Sequence, residues 1–186
     1  ALAAAQRALA LAPAHPGAWL NLGLLWRIAG DFEKASACVD QALAVEPALP
    51  AALLTRGQIF AARQQLDLAA EAFAACLDSD PAHFDAAFGL ADVALARGDF
   101  AAAASRLEAL LELRPDWAEA RIALAVAAVG QGDEDRADAL LAQARRDDPA
   151  ACAAYRPFFS ADRLGGVSPT DRRGDRSLVY RGNAGK

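Results

Sequence analysis

From Pro16 to Leu49 the chain reads PGAWLNLGLLWRIAGDFEKASACVDQALAVEPAL. Gly30-Asp31 divides it: a glycine free to take the left-handed conformation ends one helix, and an aspartate placed to cap the next follows it. Gly23 in the first half and Ala35 in the second are both small, as needed where two antiparallel helices approach until their backbones nearly touch. The stretch therefore predicts a helical hairpin.

Prolines stand at 13, 47, 81, 115 and 149, each 34 residues after the last. Four units follow without insertion or deletion, 16–49, 50–83, 84–117 and 118–151, and other columns fall into the same frame. The eighth column holds Gly23, Gly57, Ala91 and Ala125, and the twentieth holds Ala35, Ala69, Ala103 and Ala137. Gly98-Asp99 and Gly132-Asp133 repeat the turn of the first unit. One hairpin cannot bury its apolar stripe alone, so stacked neighbours make a continuous core in which each unit touches only the next. Ala1 to Ala12 fits the second helix of a preceding unit, filling out the segment 1–15. Since the chain starts in mid-repeat and holds no Met, the array is expected to continue upstream.

These columns resemble the tetratricopeptide repeat. Trp19, Leu22, Gly23, Trp26, Gly30-Asp31, Ala35, Ala42 and Pro47 fall where that family's signature puts Trp, Leu, Gly, an aromatic, the turn, two alanines and Pro. The resemblance covers about 1–151 and implies an all-α, right-handed alpha-alpha superhelix, with first helices on the inner face and second helices on the outer. Three departures stand out: Arg56 where Leu is usual, Gln64-Gln65 where the Gly-Asp turn is usual, and Leu110 where a small residue is usual.

Composition agrees with a helical reading. Of 186 residues 55% are hydrophobic but only 7% aromatic, and alanine supplies roughly a quarter, so the apolar share comes from small helix-forming side chains. Residues 1–159 carry 13 Lys and Arg against 21 Asp and Glu, a balance of −8, whereas 160–186 carry 6 against 3, or +3. An acidic body without clustered cations is a poor match for a phosphate backbone, so nucleic acid is not an expected ligand. No window is long and apolar enough to span a bilayer, and membrane insertion is not expected. Cys38, Cys76 and Cys152 are odd in number and widely spaced, which suggests neither a disulfide framework nor zinc. Reduced thiols in a cytoplasm are the expectation, with a periplasm as the alternative.

Reaction chemistry is not found. His15 and His83 lie two units apart and cannot form a short-spaced ligand pair. Asp133-Glu134-Asp135 with Asp138 has the acidity of a metal loop, but Asp133 falls on the cap column and acids suit a helix first turn. Phosphate loops, nucleophile elbows and paired acids are absent. No cofactor, no metal and no catalytic residue are expected.

Carrying the family's ligand-facing columns over, the resemblance implies partner contacts at Leu20, Asn21, Leu24, Arg27 and Ile28. In later units it implies Leu54, Thr55 and Gln58, then Asp85, Phe88, Asp92 and Leu95, then Glu119, Ile122, Val126 and Val129. That face is largely apolar. An Hsp70/Hsp90-type carboxylate clamp needs Lys, Asn and Arg where this chain has Leu20, Leu24, Thr55, Asp85 and Gly89, so chaperone tails are not the expected partner. An asparagine ladder fails as well, because Asn21 is followed by Thr55, Gly89 and Ala123.

Past Pro149 the pattern breaks, and 152–186 reads as a capping segment and an extended tail. Pro157 interrupts any helix begun at Cys152. Phe158, Phe159, Arg172, Arg173, Leu178 and Tyr180 are the expected tail contacts, with Tyr155 to Phe159 covering the end of the fourth unit. The functional expectation is a non-catalytic adaptor that holds a partner polypeptide within a larger complex. The alternatives are a docking array of an enzyme whose catalytic domain lies beyond these residues, and a structural assembly subunit.

Overall fold

The computed structural model describes residues 14–154 together with Ala5, Arg7 and Leu9, and among these the regular structure is helical throughout. Helices α1 (Pro16–Ile28) and α2 (Phe32–Val45) form the first antiparallel pair. They are followed by α3 (Pro50–Ala62) and α4 (Leu66–Ser79), α5 (Phe84–Arg97) and α6 (Phe100–Leu113), and α7 (Ala118–Gln131) and α8 (Glu134–Asp147). A short α9 (Pro149–Ala154) comes last. Ala5, Arg7 and Leu9 are also helical, in the segment expected to be a preceding second helix.

The turns show why the chain reverses where it does. Gly30, Gly98 and Gly132 have φ of 79°, 78° and 82°, a region in which a Cβ is penalised. After each, an aspartate carboxylate accepts from the backbone N–H three residues on: Asp31 from Lys34 at 3.1 Å, Asp99 from Ala102 at 3.1 Å, and Asp133 from Arg136 at 3.0 Å. The second pair has the same turn without these residues. Gln64 takes φ 61° in place of a glycine, and Gln65 stands at the cap with no side-chain hydrogen bond.

The described residues fall into two compact units that divide inside α5, the first reaching Leu90 and the second starting at Ala91. In the first unit, α1 packs on α2, α2 on α3, and α3 on α4. Gly23 of α1 lies close to α2: a Cβ there would stand 3.3 Å from the Ala35 carbonyl oxygen and 3.2 Å from Val39 Cγ2. At the next level Phe73 of α4 is 2% exposed, with its ring against both Gly57 of α3 and Gly89 of α5. Arg56, the departure from the usual leucine, reaches back to α2 and pairs with Asp40 at 2.8 Å. An aliphatic contact has been exchanged for an ion pair between successive helices, one that contributes little at this exposure.

In the second unit α6 packs on α7 and α7 on α8. Helix α7 is buried on nearly all sides, at Ala118, Ala120, Ile122, Ala123, Leu124, Ala125, Ala127 and Ala128. Small side chains let its neighbours close around it. Leu110 is buried, so this departure from the small-residue pattern is absorbed in the core. Arg136 pairs with Glu108, and Arg121 joins Asp147 and the Pro115 carbonyl, tying α8 and α7 to the segments before them.

The period alone would start the next first helix at 152, but α9 starts at Pro149. Asp148 accounts for this. Its Oδ1 accepts from Ala150 N at 2.8 Å and Ala151 N at 2.9 Å, and Pro149 stands at the first helical position, where a missing N–H costs nothing. Helix α9 packs on α8 and α7 and brings Cys152 into their core.

Candidate functional site

The residues expected to face a partner do not share one environment. Leu20, Leu95 and Ile122 are 8%, 7% and 0% exposed and belong to the core. Ile122 packs with Ala125, Ala128, Ala137, Leu141, Ala144 and Cys152, so a ligand on the surface of α7 does not reach it. Thr55 is also buried, and its hydroxyl donates to the Ala51 carbonyl at 2.7 Å, leaving it committed to its own helix. Gly89 lies against Phe73, and its missing side chain gives the ring room.

What stays accessible on the first helices is a smaller set. In the first unit Asn21 is exposed, and Leu24, Arg27, Leu54, Gln58 and Phe88 keep part of their surface. In the second, Asp92, Glu119, Val126 and Val129 do so. Val126 and Val129 rest with one side on the Ile122–Leu141 cluster. Ile28, at the end of α1, is 76% exposed and is among the most open large apolar side chains described. Arg27 Nε is enclosed with no hydrogen-bond partner among the described residues.

Asp92 is the most perturbed acid described. Burial pushes its carboxyl up from 3.8 to about 7, and no charged neighbour offsets this. Residue type and spacing do not separate it from the other polar residues of the face, because the perturbation comes from burial. By contrast, the Lys34 side chain, and then its backbone amide, hold the exposed Asp31 carboxyl below its ordinary value. That pair belongs to the turn, where Lys34 also lies 4.4 Å over the Trp26 ring.

His15 caps α1, its Nδ1 accepting from Ala18 N at 3.3 Å. Cys38, Cys76 and Cys152 are buried free thiols. Among the described residues no group of three or more His, Cys, Asp or Glu is placed to hold a metal ion, and no helix is long and apolar enough to cross a membrane. Tyr155, Phe158, Phe159, Arg172, Arg173, Leu178 and Tyr180 lie outside the described residues.

Family profiles described as Tetratricopeptide repeat match residues 1–35, 28–84 and 54–116 in one case and 94–157 in another. They take in most of the chain, which belongs to the tetratricopeptide repeat family. No curated protein matches it. Among solved structures it is similar to a thermophilic TPR protein of Thermus thermophilus, at 22% identity over 84% of this chain and 87% of that one, TM-score 0.72. It is similar to YrrB, described as a TPR protein with an unusual peptide-binding site, at 20% identity over 88% of each chain, TM-score 0.67. It is also similar to MamA of Desulfovibrio magneticus, at 22% identity over 76% of this chain and 80% of that one, TM-score 0.67. At these identities the likeness is one of fold.

Proposed function

We propose that this chain is a non-catalytic adaptor that holds a partner polypeptide on the accessible faces of its first helices. Repeats of this family are generally interaction modules without catalysis of their own. The observation that carries the reading is the half-buried apolar set Leu24, Leu54 and Phe88, each of which keeps part of its surface open on a first helix. Full burial of an exposed side chain of this kind gains roughly 1.5–3 kcal/mol and of a half-buried one about half that, against an association cost of about 4–15 kcal/mol, so these three contribute to a modest affinity and do not supply it alone. The likeness to a repeat protein described as peptide-binding is in keeping with this.

The test is selection from a displayed library of random twelve-residue peptides on the full chain. Wild type should enrich a related set of sequences. The combined change Leu54→Asp with Phe88→Asp should lose that set while circular dichroism stays helical. Enrichment that survives both changes, or none with wild type, contradicts the reading.

A further inference from the structure

Helix α5 is closed to solvent at Ala91, Val93, Ala94 and Leu95, whose exposures run from 0% to 9%. Between them Asp92 keeps part of its surface open. Leu95 and Ala96, three and four residues on, share its helix face, so the carboxylate is set beside apolar side chains. Among the described residues it has no hydrogen bond and no ion pair, unlike Asp31, Asp40 and Asp147, each of which has a basic partner. Buried acids are ordinarily paired, and one that is not needs a reason.

We propose that Asp92 is a recognition point for a basic side chain, Lys or Arg, of the polypeptide held by the first helices. This rests on the adaptor reading and adds the chemistry of the partner to it. The desolvation cost of the carboxylate is met when the chain folds, so an arriving cation has only its own to meet, the advantage of a preorganised site. Lys and Arg suit this setting in a second way, because their methylene stems can lie along apolar side chains while the charged head meets the carboxylate. A metal ion fits less well, since Asp92 belongs to no group of three or more His, Cys, Asp or Glu among the described residues. The raised affinity of Asp92 for a proton is the expected property of an enclosed acid still awaiting its cation. The acidic balance of residues 1–159 favours the approach of a basic segment.

The same peptide selection tests this separately. Peptides enriched by the wild-type full chain should share a Lys or Arg at one position. Replacing that residue by Gln in a synthetic copy should weaken binding about tenfold to a hundredfold, the range of a charge-assisted hydrogen bond. Asp92→Asn should lose the preference for the basic residue while still binding the Gln peptide as wild type does. Enriched peptides without a shared basic residue, or an Asp92→Asn chain that still prefers the basic peptide, would overturn the proposal and leave the adaptor reading standing. Failure of wild type to enrich any peptide sinks both.

Discussion

A Cβ atom placed on Gly57 would stand 2.5 Å from Cδ1 and Cε1 of Phe73, far inside normal contact. The ring occupies the room that the missing side chain leaves. On its other side a Cβ on Gly89 would come within 2.7 Å of the same ring. Elsewhere this core position holds Val39, Leu107 and Leu141, all smaller and all buried. One oversized side chain is therefore matched by two absent ones, keeping interior density close to that of a crystal.

Gly57→Ala should accordingly destabilise the chain by about 1–2 kcal/mol, the overpacking cost outweighing the helix propensity that alanine adds. Gly23→Ala should cost less, because its nearest contacts would be 3.2–3.3 Å away. In the Gly57→Ala background, Phe73→Leu should be less harmful than in wild type, with a coupling of about 1 kcal/mol or more. Urea denaturation of the four chains of that cycle measures it. Additive effects would show that the ring and Gly57 do not compete for the same space.

Gln64 and Gln65 mark the weakest turn. A non-glycine residue in the left-handed region costs about 1–2 kcal/mol, part of which glycine gives back as chain entropy in the unfolded state. Gln64→Gly should stabilise by about 0.5–1 kcal/mol, and Gln65→Asp should add about 1 kcal/mol by supplying the cap that the other three turns have. Thermal unfolding of the double variant should shift upward by several degrees. A lower melting temperature would contradict the turn geometry.

How much of this was legible in the sequence follows from what each position depends on. Gly30, Gly98 and Gly132, with the aspartates after them, are local devices, and reading them placed the helix boundaries. The turn between α3 and α4 is harder to read, since Gln64 adopts the same conformation without being a residue that favours it. Phe73 and its two glycines were visible as residues but not as a group, because Gly57 and Gly89 lie on different helices and their shared neighbour lies between them in sequence. Separating groove from core failed at Leu20, Leu95 and Ile122 for a related reason. An apolar residue on a first helix suits either place, and how closely the neighbouring helices pack around it decides which. Asp92 was named as a contact residue, but nothing in the sequence distinguished an enclosed acid from a solvated one.

Asp92 also predicts how stability depends on pH. Its folded-state value of about 7 lies above the ordinary 3.8, so between these values the folded chain binds the proton that the unfolded chain has lost. The stabilising contribution of this group is full below about pH 4 and is lost as pH rises towards 7 and beyond. The whole interval corresponds to an upper limit on the order of 4 kcal/mol. Asp92→Asn should therefore be more stable than wild type at pH 8, and the advantage should shrink steadily down to pH 5. An advantage independent of pH would show that the acid titrates normally.

The three thiols are 7%, 0% and 4% exposed at Cys38, Cys76 and Cys152, and burial pushes each thiol up in pKa. Cys76 Sγ also donates to the Pro50 carbonyl at 3.3 Å. Reaction with a water-soluble thiol reagent should thus wait for opening of the structure. Timed labelling followed by mass spectrometry should find Cys152, carried on the short α9, modified first and Cys76 last. Immediate modification of Cys76 in the native chain would contradict its burial.

Whether the first helices hold a polypeptide can be read by placing a photo-reactive benzoylphenylalanine at two positions in the full chain. One is Leu54 on α3. The other is Leu68 on α4, which is 42% exposed and so at least as open to an adventitious encounter. Irradiation in an extract of the source cell should give a discrete polypeptide adduct from position 54 and none from position 68. Adducts of equal yield from both positions, or from 68 alone, would contradict the account.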